Sequence, residues 1–369
     1  MANVKKIGIL TGGGDCPGLN AVIRAVVKTA IHDYSMEVLG ILDGFEGLVF
    51  KKVQRLGYEE VRGILTKGGT ILGSSNRANP FKMTYEINGK KITEDKSNDA
   101  CKNYHDLGLD ALVVIGGDGT LTIGKELKDK CGLQVVGVPK TIDNDLSATD
   151  VTFGFETAVI TATEAIDKLH TTAESHHRVM FVEVMGRDAG WIALFSGIAG
   201  GADAILIPEI PYYMPKLAAK IERREKYGMK FSIVVVAEGA RPVGGKMSVI
   251  EKPNQPWSLP RLGGAAQRVA DEIEQMTRRE ARVTVLGHIQ RGGIPTPFDR
   301  DLASRLGVEA VNLIGRQEFG RMVCLRGRDI KSASLEEAVG RQKLVDPKGE
   351  MVQAARALGI DFCSAPEKK

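Results

Sequence analysis

Short apolar runs that stop at a glycine- or aspartate-bearing loop and resume as an amphipathic helix recur along most of this chain. Residues 6–10 lead into Thr11-Gly12-Gly13-Gly14-Asp15-Cys16-Pro17-Gly18 and then a helical pattern over 19–31. Residues 111–115 end in Gly116-Gly117-Asp118-Gly119-Thr120, and residues 133–138 in Pro139-Lys140-Thr141-Ile142-Asp143-Asn144-Asp145. Residues 179–184 open into Met185-Gly186-Arg187-Asp188-Ala189-Gly190, 231–236 into Ala237-Glu238-Gly239, and 282–286 into Gly287-His288-Ile289-Gln290-Arg291-Gly292-Gly293. Repeated strand, loop and helix units imply an α/β fold with parallel sheets and right-handed crossovers. In such sheets ligands bind beyond the carboxyl ends of the strands, where all of these loops fall.

The loops carry chemistry. Pro139 favours an extended exit from its strand, and residues 140–145 then present an ammonium, a hydroxyl and two carboxylates separated by one residue. A carboxylate in reach of a substrate hydroxyl is a general base, and a second one nearby can hold a metal ion. A polar turn built on Asp and Asn has the same composition. Asp118, at a glycine-lined strand end, suits Mg²⁺ beside phosphates, and suits a helix N-cap equally. The glycine loop before residue 19 makes an anion site from backbone N–H groups and a helix dipole. Arg282, His288 and Arg291 around one strand end suggest a phosphate monoester site; for Arg282 alone, a surface cation paired with a carboxylate is the simpler expectation. His176-His177 invites a metal reading, but neighbours on an extended segment point to opposite faces.

Other features narrow the class. The 50 basic and 46 acidic residues leave a net charge of +4, which demands no nucleic-acid partner. The 43 glycines cluster after apolar runs, where glycine lets backbone approach a ligand. Five scattered cysteines without a Cys-x-x-Cys pair argue against a disulfide scaffold or structural zinc and suit a reducing cytoplasm. The first residues run into a strand with no signal-peptide core, and no apolar run is long enough for a membrane span. The dinucleotide fingerprint fails because Pro17 stands at its last glycine position counted from Gly12, and no G-x-x-x-x-G-K-[ST] occurs. The expected organisation is a first sub-domain over residues 1–155, with a β-hairpin insertion at about 80–98 turning on Asn88-Gly89. A second sub-domain follows over 156–302, and then a helical segment over 303–369. Residues 241–260, with Trp257, read as a Pro/Gly-rich linker.

Taken together, the loops at Gly13-Gly14-Asp15, residues 116–120, 139–145, Met185-Gly186-Arg187 and 286–293 resemble the phosphofructokinase family, and do so in the family's order. The resemblance runs from the first strand to about residue 302. It implies two Rossmann-like sub-domains with the active site in the cleft between them, and transfer of the γ-phosphoryl of ATP to the 1-hydroxyl of fructose 6-phosphate. Asp143 matches the family's general base, and Asp118 and Asp145 the carboxylates that position Mg²⁺. Thr141 and the backbone at Gly14 would meet the transferring phosphoryl group, with Arg77 and Arg187 compensating charge. Gly13, Gly117, Gly119 and Thr120 complete the donor site. Met185, Gly186, Glu238, His288 and Arg291 fall at sugar positions. Arg178 and Arg282 match arginines that reach the 6-phosphate from a neighbouring subunit, so the resemblance implies a homodimer or homotetramer.

On the donor the resemblance is mixed. Pyrophosphate users carry aspartate where this chain has Gly119, which leaves room for a nucleotide, whereas Lys140 is the pyrophosphate-type residue. ATP is the expectation and a pyrophosphate-dependent phosphotransferase the alternative. An NAD-kinase-like or lipid-kinase-like enzyme would share only the Gly-Gly-Asp-Gly-Thr loop, and a silent nucleotide sensor would not need both Asp118 and Asp143. Arg24 matches one cation of the family's effector site, and Lys28 departs from the expected arginine.

Overall fold

The computed structural model describes residues 4–87, 89–251 and 261–366, and the chain divides into two compact units. The first comprises Met1–Ile142, Leu146–Thr157 and Arg291–Gln342; the second comprises Asp143–Asp145, Ala158–Gln290 and Lys343–Lys369. No helix among the described residues is long and apolar enough to cross a membrane.

The first unit is built on β1 (Lys6–Thr11), α1 (Leu19–Tyr34), β2 (Glu37–Ile41), α2 (Phe45–Phe50) and β3 (Val53–Leu56). A hairpin of β4 (Met83–Ile87) and β5 (Lys90–Glu94) follows, then α3 (Ser97–Asp106), β6 (Ala111–Gly116), α4 (Asp118–Cys131) and β7 (Val135–Pro139). β6 and β7 are buried along their whole length, as strands covered on both faces must be. The sheet order is β15-β14-β7-β6-β1-β2-β3, where β14 (Arg321–Arg326) and β15 (Asp329–Ser334) return from the C-terminal region. The chain steps from β1 outward to β2 and then back past β1 to β6, so β1 and β6 flank the point where strand order reverses. That is where a doubly wound sheet opens a ligand crevice.

The second unit begins with α5 (Phe155–His176), whose first turn still belongs to the first unit. Its four strands are β8 (Val179–Val184), β9 (Ala204–Leu206), β10 (Ser232–Ala237) and β13 (Ala281–Val285), all parallel, in the order β13-β8-β10-β9. Three helices, α6 (Trp191–Ala199), α7 (Met214–Lys226) and α8 (Ala265–Thr277), and a small β11 (Val249–Glu251) and β12 (Arg261–Leu262) pair accompany them. Val179, Phe181, Val234 and Val236 pack against Leu217, Val269 and Ile273 to form its core.

The parallel sheets read from the sequence are present. The helical reading of residues 303–369 holds for the remainder of α9 (Pro297–Gly315), for α10 (Leu335–Ala338) and for α11 (Glu350–Ala357). It fails at β14 and β15, which pair antiparallel and extend the first sheet. The hairpin insertion is present with Ile87 opposite Lys90, while Asn88 of its turn lies outside the described residues. So do residues 252–260, which cover Trp257 and the second part of the expected linker.

The sequence reading expects no disulfide scaffold and unpaired cysteines, and one pair departs from it. Cys101 and Cys131 form a disulfide, with Cα atoms 6.1 Å apart. They stand 30 residues apart in sequence, and packing of α3 beside α4 brings them together, which no local Cys-x-x-Cys rule can detect. Cys16, Cys324 and Cys363 are free and buried.

Candidate active site

In the first unit the site starts at the end of β1. Gly13 adopts φ 79° and Gly18 φ 106°, left-handed values that glycine takes without a Cβ penalty. The loop is pinned from both sides: Gly12 N–H donates to the Ile115 carbonyl at 2.9 Å, and Gly13 N–H to the Ser75 carbonyl at 3.0 Å. The Ser74 hydroxyl donates to the Gly13 carbonyl at 2.6 Å. A Cβ on Gly12 would lie 2.5 Å from Thr120 Cγ2, so the two strand-end loops are interlocked through Thr120. Gly13, Gly14, Asp15, Thr70, Ser74 and Asn76 line a cavity of about 380 Å³ at this point.

Two cations face the same loop. The Lys140 side chain is 3% exposed and its ammonium donates to the Gly14 carbonyl. Arg291 donates to the Asp15 carbonyl at 3.2 Å, and its guanidinium sits 2.8 Å from where a Gly14 Cβ would be. Arg77 is exposed, its backbone N–H on the Ser75 hydroxyl at 3.2 Å. Burial pushes the Cys16 thiol up to about 12, so it stays protonated and is no nucleophile.

Gly117 is the N-cap of α4 and no side chain caps that helix, so Asp118 is not the N-cap that its sequence context allowed. Its Oδ1 accepts the Gly340 N–H at 2.9 Å, and a carboxylate retains further acceptor capacity for a cation. A Cβ on Gly119 would meet nothing within 4 Å, and the residue is exposed.

The loop after β7 is fixed at its base by Lys140 N–H on the Gly116 carbonyl at 3.0 Å and by the Thr152 hydroxyl on the Thr141 carbonyl at 2.7 Å. Thr141 is 9% exposed. In the second unit's part of this loop, Asn144 is buried with φ 51°, and Asp143 and Asp145 on either side are partly exposed. Tucking in the middle residue leaves the two aspartates partly exposed on either side of it, with Asp143 Oδ1 itself buried.

At the end of β8, Gly186 has φ 136° and Arg187 φ 46°. Ala189 N–H closes the turn on the Gly186 carbonyl at 2.8 Å. Glu238, emerging from β10, accepts the Arg187 N–H at 3.1 Å, and a Cβ on Gly239 would overlap the Arg187 carbonyl oxygen. The Arg187 backbone is thus held in an uncommon conformation by its neighbours, a pattern that clusters at functional sites. Gln290 is fully buried and accepts the Met185 N–H at 3.4 Å, while His288 is exposed. Arg178 and Arg282 both pair with Glu280, Arg178 at 2.9 Å.

His176 ends α5 and His177 is left-handed at φ 56°, so the pair is not extended as its sequence suggested. No cluster of three or more His, Cys, Asp or Glu able to hold a metal occurs among the described residues.

Sequence reasoning missed Thr70, Ser74 and Asn76 of the cavity at the glycine loop, and the half-buried Glu209. Glu209 Oε1 accepts N–H groups from Gly190, at the start of α6, and from Val345, both at 2.9 Å. Burial raises its carboxyl above the usual range. No motif marks it; the only hint is a carboxylate directly after Pro208 at the end of an apolar run.

A glycine-lined cavity, partly exposed aspartates and a backbone-locked arginine at parallel strand ends define an α/β protein suited to phosphoryl groups. The model of the family described as phosphofructokinase matches residues 6–314, and the chain belongs to that family. It is 54% identical over 364 residues to ATP-dependent 6-phosphofructokinase 2 of Clostridium perfringens, covering 98% of this chain and 99% of that one. It is also 51% identical over 342 residues to the pyrophosphate–fructose 6-phosphate 1-phosphotransferase of Streptomyces coelicolor, covering 93% of this chain and 96% of that one. Among solved structures, phosphofructokinase from Saccharomyces cerevisiae matches with TM-score 0.76 and 34% identity over 90% of this chain, which spans 45% of that longer chain.

Proposed function

We propose that the chain is a glycolytic 6-phosphofructokinase that transfers the γ-phosphoryl group of ATP to the 1-hydroxyl of fructose 6-phosphate, giving fructose 1,6-bisphosphate and ADP. The observation that carries the reading is the aspartate loop: two partly exposed aspartates around a buried, left-handed Asn144, in a chain whose full-length relatives at 54% and 51% identity both have names of fructose 6-phosphate phosphotransfer or 6-phosphofructokinase.

Phosphoryl transfer needs positioning and charge stabilisation more than covalent chemistry. In this reading Asp143 accepts the proton of the 1-hydroxyl as its oxygen bonds to the γ-phosphorus and the bond to the ADP oxygen breaks. Arg187, Thr141 and Gly14 backbone offset charge on the transferring group, with Arg77 and Lys140 adding positive charge on the donor side. Gly13, Gly117, Gly119 and Thr120 leave the donor space open. Asp118 and Asp145 are hard oxygen donors of the kind Mg²⁺ takes, and both are partly exposed. When bound, Mg²⁺ neutralises phosphate charge. Met185, Gly186, Glu238, His288 and Arg291 orient the sugar.

Arg178 and Arg282 would reach the 6-phosphate of a neighbouring subunit's site in a homodimer or homotetramer, exchanging Glu280 for phosphate. The cytoplasm is the expected compartment.

Pyrophosphate as donor is the second reading, favoured by Lys140 on the glycine loop. Open space at Gly119 favours ATP, because room for the nucleotide is a requirement and an extra cation is not a hindrance. The test is formation of fructose 1,6-bisphosphate with ATP and pyrophosphate supplied separately, Mg²⁺ in both. Turnover with ATP at least tenfold above that with pyrophosphate is expected; turnover with pyrophosphate alone would overturn the donor assignment.

A further inference from the structure

Beyond residues 6–314, which the family model matches, the chain leaves α10 and runs past the aspartate loop. In the first unit Gly340 N–H donates to Asp118, and Gln342 makes an antiparallel bridge with Leu146. In the second unit Lys343 takes over. Its backbone N–H donates to the Asp145 carbonyl at 2.7 Å, and its ammonium donates to Asn144 Oδ1 at 2.9 Å. Its own carbonyl accepts the Trp191 indole N–H at 2.7 Å, and its ammonium lies 5.9 Å from the Trp191 ring centroid. Two residues on, Val345 N–H is held by Glu209, the carboxylate that also caps the start of α6.

These bonds converge on the residue that sets the loop's shape. Asn144 is 4% exposed and left-handed at φ 51°. That conformation disfavours side chains, although asparagine tolerates it better than most. Were residue 144 to relax to the ordinary right-handed or extended region, the peptide planes on both sides would rotate and re-aim Asp143 and Asp145 together. A buried amide oxygen bonded to an ammonium resists that change, because a charge-assisted hydrogen bond inside the protein would be lost with it. Lys343 is itself fixed at its carbonyl and over an indole face, so the ammonium arrives with little freedom.

We propose that Lys343 is a positioning residue for phosphoryl transfer, holding Asn144 in its left-handed turn so that the carboxylates of Asp143 and Asp145 are presented together. The proposal rests on the reading of those aspartates given above.

The test is a double-mutant cycle between Lys343→Met and Asn144→Gly, read by kcat and by amide hydrogen exchange of the peptide spanning residues 143–145. Glycine adopts the turn without an amide oxygen to grip, so the lysine has nothing to hold there. Expected are a 10- to 100-fold fall in kcat for Lys343→Met with less than threefold change in the KM for fructose 6-phosphate, and faster exchange at 143–145. In the Asn144→Gly background the same change should cost less than threefold. If Lys343→Met folds poorly, Lys343→Gln replaces it, with thermal unfolding as the check. A kcat within twofold of wild type, an equal loss in both backgrounds, or unchanged exchange at 143–145 would each overturn the proposal. Exchange is measured without turnover, so a wild-type enzyme inactive on fructose 6-phosphate would refute the functional reading while still testing the grip.

Discussion

Replacing Gly119 with aspartate separates what the fold needs from what the donor needs. Gly119 is exposed in the first turn of α4, has no left-handed φ, and offers an added Cβ open space to 4 Å. The fold should therefore accept the change. Replacing glycine by aspartate in a helix gains about 0.3 kcal/mol, and a negative charge at a helix N-terminus adds about 0.3–1 kcal/mol, so the melting temperature should hold or rise. ATP should fare differently. A carboxylate ~5 Å from a phosphate oxygen costs about 0.8–1.7 kcal/mol at an effective dielectric of roughly 40–80. That is about 4- to 20-fold in kcat/KM for ATP, before the carboxyl's occupation of nucleotide space is counted. Initial rates with ATP varied at saturating fructose 6-phosphate should show at least a tenfold loss, with the KM for the sugar moving less than threefold. A folded Gly119→Asp protein whose kcat/KM for ATP stays within twofold of wild type would refute the steric and electrostatic argument.

Three further outcomes follow from the geometry. Asp143→Asn, which keeps shape but cannot accept a proton, should lower kcat by about 10²–10⁴-fold with little change in either KM, as read by steady-state kinetics. Gly239→Ala would drive a methyl into the Arg187 carbonyl, so kcat/KM should fall at least tenfold while β8 and β10, buried upstream, keep melting within about 5 °C of wild type. Asp299 is fully buried and accepts from Gly154 N–H at 2.9 Å, Thr157 N–H at 2.8 Å and the Thr157 hydroxyl at 2.5 Å. Asp299→Asn turns an amide toward one of those donors and should cost about 2–4 kcal/mol in denaturant unfolding. Burial raises the Asp299 carboxyl above its ordinary 3.8, so the folded state binds this proton more tightly than the unfolded chain. Its contribution to stability is therefore greatest below that ordinary value and declines as pH rises through the raised one, a slope that Asp299→Asn should remove.

The sheet was legible because its strands are continuous apolar runs closed by glycine loops, a local signal. β8 lies where the runs place it, at Val179–Val184, and β6 and β13 shift by one residue. β14 and β15 were missed for the converse reason. Arg321–Arg326 carries an arginine at each end, and Asp329–Ser334 alternates polar residues along an edge, so neither reads as buried. They become strands through pairing with β7 and with each other, which is a long-range fact. The Cys101–Cys131 bond is of the same kind, a consequence of helix packing over 30 residues of separation.

The site divides along the same line. Asp118, Asp143, Asp145 and Arg187 sit on strand-end loops that the sequence announces by their glycines and prolines. What it could not announce is how those loops are held. Asn144 reads as a turn residue, but its burial and left-handed φ depend on a lysine 199 positions later, and the Arg187 backbone depends on Glu238 and Gly239, some 51 positions on. A chain can advertise a carboxylate locally because reactivity resides in one side chain. Aiming that carboxylate requires donors and acceptors from elsewhere, since a short polar loop exposed at a sheet edge has too few internal hydrogen bonds to keep one backbone conformation. Residues 340–345 provide those partners, and their sequence is ordinary because most of the grip is backbone: the N–H groups of Gly340, Lys343 and Val345 and the carbonyl of Lys343. Substitutions along this stretch other than at Lys343 and at Gly340, whose φ of 82° favours glycine, should be tolerated as long as the backbone path is kept, whereas Lys343→Pro removes the N–H on Asp145 and should cost turnover at least as heavily as Lys343→Met.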